Sequence, residues 1–152
     1  MWLKISDRAV SRIVAAAAAS VPGTVELGRS LDRPAGRSYP RYDVLVDNAA
    51  RTCSIEAFIA VVWPSPVTAV AEAVRATVAA WVADCTGLTV TRVNVVVGPV
   101  VRGRPVTAEL LDAHPRHPVL RPVTVRPGPV SRPRTRAPVP LRPITVRGHH
   151  VR

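Results

Sequence analysis

Residues 63–97 constrain the fold most, because they spell out a helix start, an amphipathic helix, a helix stop and a strand without interruption. Ser65 offers a hydroxyl to an otherwise unpaired helix N–H, and Pro66 follows at the first helical position, where a missing N–H costs nothing. Val67, Val70, Ala71, Val74, Val78, Trp81, Val82 and Cys85 then recur at helical spacing as one apolar stripe. Thr68, Glu72, Arg75 and Asp84 fall off it. Gly87 stands where a left-handed residue closes a helix. The β-branched run Val90 to Val97 reads as a strand. The stripe predicts that Trp81 and Cys85 are buried, and no residue of the stretch marks a reaction centre.

The preceding sequence supplies what this unit packs against. Trp2 to Ile5 reads as a short first strand, and Ser6 or Asp7 caps a helix whose Val10, Ile13, Val14, Ala17, Ala18 and Val21 keep helical spacing. Val21-Pro22-Gly23 ends that helix. Residues 24–40 are loop-like, with Val25 and Leu27 as candidates for one more short strand, and Arg29, Arg33, Arg37 and Arg41 make the region basic. Tyr42 to Asp47 and Thr52 to Val62 both alternate, and the polar turn from Asp47 to Arg51 joins them as an antiparallel hairpin. Cys53, Ile55, Ala57, Ile59 and Val61 share the face that takes the helices, while Phe58, Ala60 and Val62 leave the other face partly apolar and in need of cover. The expectation is an α+β two-layer sandwich in the order β(short)–α–β–β–α–β. Two helices lie on one face of a three- or four-stranded, mainly antiparallel sheet.

From Gly98-Pro99 the pattern fails, apart from two helical turns expected over Thr107 to Ala113. Of 16 prolines, 10 lie after residue 103. Residues 1–103 carry 11 basic and 8 acidic residues, a net +3, whereas residues 104–152 carry 10 and 2, a net +8. Proline at this density blocks helices and central strands. The chain therefore divides into a folded domain over 1–103 and a basic, extended, disordered tail over 104–152.

Few chemistries survive inspection. Cys53 and Cys85 are too few for a disulfide framework and read as buried free thiols of a reducing compartment. His114, His117, His149 and His150 all lie in the tail, and the His149-His150 pair lacks the three or four preorganised ligands a metal site needs. There is no glycine-rich phosphate loop and no nucleophile–base set. No catalytic, cofactor or metal residues are expected, and the chain is not read as an enzyme. No run approaches the ~20 apolar residues that span a bilayer. The N-terminal segment has basic residues before an Ala-rich run, but Asp7 and the shortness of that run depart from a secretory signal, so a cytoplasmic protein is expected.

The ordered set of stretches resembles the alkaline shock protein family, the Gls-type general or envelope stress response proteins of Gram-positive bacteria. Ile5-Ser6-Asp7 opens a helix that ends in Val21-Pro22-Gly23-Thr24-Val25, like the family's first helix and its Val-Pro-Gly-Val type turn. Cys53 to Val62, with SIEAFIAVV, looks like the family's long strand. Val67 to Thr86 looks like its second helix, and Thr86-Gly87-Leu88 followed by Val93-Asn94-Val95 looks like its closing signature. The resemblance covers residues 4–100. Trp63-Pro64-Ser65-Pro66 departs from the usual Tyr-Gly-type exit, and neither the basic loop 29–41 nor the tail belongs to the family core.

The resemblance implies a non-enzymatic scaffold or adaptor of the envelope stress response. It would act in the cytoplasm or at the inner face of the membrane, through a protein partner that is membrane-anchored in some relatives, and with self-association. The residues themselves add one surface for anions. Arg104, Arg116, Arg121, Arg126, Arg132, Arg134, Arg136, Arg142, Arg147 and Arg152 would attract anionic lipid at about 1 kcal/mol per arginine near the surface. The alternative is a nucleic-acid-associated module that binds phosphates non-specifically through the same arginines. The segment 104–152 has no Phe, Tyr or Trp, so base stacking plays no part there. No cofactor and no small-molecule substrate are expected.

Overall fold

The computed structural model describes residues 3–28, 37–119, 121–129, 131, 133–134, 136–146 and 148. Helix α1 spans Asp7–Ser20, and Ser6 caps it, its Oγ accepting the Ala9 N–H at 3.2 Å. At the other end the Thr24 hydroxyl lies 3.0 Å from the carbonyls of both Ala18 and Val21, and Gly23 takes φ +96° to turn the chain. Strand β1 follows as Thr24–Val25, then β2 as Arg41–Asp47 and β3 as Thr52–Trp63. The Asp47 carboxylate accepts the N–H groups of Ala49 and Ala50 at 2.9 Å, which closes the hairpin turn between β2 and β3. Helix α2 runs Val67–Thr86, β4 runs Thr89–Arg102, and a short α3 covers Ala108–Asp112.

The fold is α+β, with α1 and α2 on one face of a four-stranded sheet. β3 is its centre: β1 and β2 pair antiparallel along one edge, and β4 pairs parallel along the other after the α2 crossover. Val10, Val14, Ala17 and Ala18 of α1 meet Val70, Val74, Val78 and Val82 of α2 over Cys53, Ile55, Ala57, Ile59 and Val61. These are the faces that periodicity assigns to the core.

Several expectations are corrected. Residues 3–5 form no strand; the short strand is β1, after α1 instead of before it. The backbone of Ile5 bonds instead to a side chain, that of Asn48. Ser65 does not cap α2, because its hydroxyl donates to the Val62 carbonyl at 2.6 Å in the turn that ends β3. Cys85 is exposed and Trp81 only half-buried. Gly87, at φ +67°, folds the chain back so that Leu88 fills the end of the core, and Thr77 takes an unexpected buried place on α2. The strand does not stop at Val97: a register shift between Ile59 and Val61 admits Gly98-Pro99, and β4 continues to Arg102.

The first compact unit covers Met1–Leu120 and includes α3, whose Leu111 is buried against the helices. The second covers Arg121–Arg152, where the described residues form neither helix nor strand and are exposed.

Candidate interaction surfaces

Four places in the first unit combine exposure with chemistry. The first is the sheet face away from the helices. Alternation and register set its rows: Arg41, Phe58 and Val96; Asp43, Glu56 and Asn94; Leu45, Ser54 and Arg92. The Arg41 guanidinium lies 4.7 Å from the Phe58 ring centroid and 6.0 Å from that of Tyr39. Tyr39 can cross the sheet because Gly98 lies beneath it; a β-carbon there would sit 2.8 Å from the ring. The apolar residues expected to need cover are thus dealt with locally. Phe58 lies under Arg41, Val62 meets Gly103, and Ala60 is buried beside β1. Leu45, at 71 % exposure, and Val96, at 42 %, remain open.

The second is a small cavity at a gap in the sheet. The partners of β3 on one edge pass from Phe58 in the β2 pairing to Ala60 in the β1 pairing, leaving Ile59 between them. A space of about 220 Å³ opens there, walled by Ala18, Ala19, Pro40 and Tyr42. The Tyr42 hydroxyl is buried with no hydrogen-bond partner among the described residues. Burial, and secondarily the nearby Glu26 carboxylate, push its pKa up to about 12.

The third is on the helix side, where the chain after β4 straps across α1 and α2. His114 Nε2 lies 3.3 Å from Ser20 Oγ, and His117 Nδ1 lies 2.8 Å from Asp84 Oδ2. Burial lowers the His114 pKa. The two histidines are not near a metal-binding set; among the described residues no cluster of three or more His, Cys, Asp or Glu has that geometry. His149 and His150 lie outside the described residues. Cys53 is buried, which raises its thiol pKa, and Cys85 is exposed, so the two cysteines differ in access.

The fourth is the free edge of β4. A groove of about 670 Å³ runs between this edge and α2, lined on the helix by Thr68, Ala71, Glu72 and Arg75. A second recess of about 440 Å³ continues toward Val90 and Arg116. No local pattern marks Arg75 and Arg92 as a pair, because one is an off-stripe helix residue and the other an open-face strand residue. Only the parallel crossover brings them to one edge.

Of the arginines read as an anionic-surface site, Arg104 and Arg116 belong to the first unit, and Arg121, Arg126, Arg134, Arg136 and Arg142 to the second. All seven are exposed. Arg132, Arg147 and Arg152 lie outside the described residues. Arg116 lines the recess beside α2, whereas Arg121, Arg126, Arg134, Arg136 and Arg142 lie on chain that forms neither helix nor strand. No helix among the described residues is long and apolar enough to cross a membrane.

Comparison with known proteins bears on this directly. Searches of curated proteins and of solved structures gave no match. A family model, that of the alkaline shock protein 23 family with a cell envelope-related function, matches residues 2–102, from the segment before α1 to the last residue of β4. The chain therefore belongs to the alkaline shock protein 23 family, whose function is related to the cell envelope.

Proposed function

We propose that this protein is a non-catalytic adaptor of the envelope stress response. Its folded unit docks a protein partner at the inner face of the membrane. Its basic tail adds attraction to the anionic surface. The observation that carries the reading is the family assignment across the whole sheet and both major helices. The exposure of the seven described arginines between residues 104 and 152 supports the second part, since each can approach lipid headgroups at about 1 kcal/mol per charge. The charge asymmetry favours one competing reading, non-specific phosphate binding to nucleic acid.

Sedimentation separates the two. The full chain is mixed with vesicles of phosphatidylglycerol and phosphatidylcholine, with neutral vesicles, and with single- and double-stranded oligonucleotides, each across a salt series. The adaptor reading expects binding to the anionic vesicles that weakens when the tail arginines are replaced by glutamine. A steep salt slope on nucleic acid, lost in the same variant, with no binding to anionic vesicles, would favour the competing reading.

A further inference from the structure

The two edges of the sheet are treated differently. On the β2 side the Val46 N–H donates to the Asp7 carboxylate at 3.0 Å, the Asn48 amide pairs with the Ile5 backbone, and Leu27 bridges Tyr39. That edge is blunted along much of its length. On the other side, β4 hydrogen-bonds to β3 and no further strand pairs with it among the described residues. The outer side of Val90 to Val97, about 26 Å long at about 3.3 Å per residue, thus faces no strand among the described residues, with one bulge at Thr91 where the register with β3 shifts. A long edge rich in β-branched residues and left unpaired in a native protein is a template for another strand, here with Thr91, Arg92 and Asn94 as its polar positions.

The surroundings state what kind of strand. α2 forms one wall of the groove, and its Ala71 and Ala76 are small, so an added backbone has room beside β4. Arg75, Arg92 and Arg116 line the same edge, against Glu56 and Glu72. None of the three arginines has a carboxylate in salt-bridge range among the described residues, where the recorded ion pair is His117–Asp84. An incoming strand bearing carboxylates gives these cations partners; a lysine-bearing strand repels them.

We infer that the free edge of β4 is a strand-addition site for an extended, acidic segment of a partner protein. The inference rests on the adaptor reading above and specifies its docking mode. The main chain of the segment pairs with β4, its β-branched residues pack beside α2, and its carboxylates lie on the open face with Arg92, at the edge that Arg75 also lines.

The test uses the full chain and the blocked peptide Val-Glu-Val-Glu-Val-Glu-Val, with a second peptide of the same sequence N-methylated at alternate residues. The two carry the same charge, so attraction to the arginine tail is equal and only strand pairing differs. The native-backbone peptide is expected to bind at least tenfold more tightly and to slow amide hydrogen exchange across residues 90–97. The double variant Arg75→Glu/Arg92→Glu is expected to lose at least tenfold in affinity with its thermal unfolding unchanged. Equal binding of the two peptides, or no protection of residues 90–97, would overturn the inference. So would a concentration-dependent dimer that already protects this edge, because the edge would then belong to a second copy. The outcome is separable from the parent reading: peptide binding with no envelope association in cells leaves the edge and removes the envelope role. The reverse result removes the edge alone.

Discussion

Asn48 holds the backbone of Ile5 from both sides: its Oδ1 accepts the Ile5 N–H at 2.8 Å and its Nδ2 donates to the Ile5 carbonyl at 3.0 Å. One side chain thereby imitates one residue of a neighbouring strand and fixes the entry to α1. Asn48→Ala removes both bonds from a partly buried site. A loss of about 1–3 kcal/mol in urea unfolding is expected, with faster exchange at the Ile5 amide. Unchanged stability together with unchanged exchange would mean that the pair does not hold α1 in place.

Tyr42 makes the fold sensitive to alkali. Its phenol is buried and its pKa raised to about 12 from an ordinary 10.0, so the folded state disfavours the phenolate. The sign follows from linkage: the unfolded chain releases the proton first as pH rises. The contribution is whole below pH 10 and is lost as pH climbs through about 12. Tyr42→Phe also removes a hydroxyl that has no partner. It is expected to be neutral or stabilising at pH 7 and to flatten the fall in melting temperature above pH 10, which a pH series of thermal melts reads directly.

Gly87 closes α2 at φ +67°, with its N–H on the Ala83 carbonyl at 2.9 Å. A β-carbon would find open space, the nearest atom being Arg51 Nη2 at 3.8 Å, so the cost of Gly87→Ala is conformational and not steric crowding. About 1–2 kcal/mol is expected. Equilibrium denaturation that showed no loss would contradict the left-handed cap.

Trp81 and Ile55 differ in what truncation removes. Ile55 is 2 % exposed at the centre of the sheet, and Ile55→Ala is expected to cost about 2–5 kcal/mol. Trp81 is half-buried, and its indole N–H is buried with no partner among the described residues. Trp81→Phe therefore sheds an unsatisfied donor and is expected to change stability by less than about 1.5 kcal/mol. A larger loss for Trp81→Phe than for Ile55→Ala would reverse this placement.

The parts of the fold legible in the sequence are those that a period encodes. Val10, Val14, Val70, Val74, Val78 and Val82 declare two helix faces at 3.6 residues, and Cys53 to Val61 declares a sheet face at 2. Their punctuation is partly legible: Ser6 and Gly87 act as expected, while Ser65 does not, since a serine hydroxyl serves a strand-end carbonyl as readily as a helix N–H. The end of β4 was hidden because Gly98-Pro99 looks like a break until the bulge opposite Ile59–Val61 absorbs it. The candidate surfaces were least legible. The tail arginines are visible as composition, but Arg75 with Arg92, Arg41 on Phe58, and Asn48 with Ile5 are products of register and crossover. No local pattern specifies them.

The central claim is an adaptor held at the cell envelope, and fractionation of cells producing the full chain tests it most directly. The protein is expected in the membrane fraction at low salt, with a share that high salt does not release, because a protein partner holds it there in addition to the charge of the tail. A protein spread through the cytosol at low salt, with no membrane-dependent partner recovered by cross-linking, would contradict it.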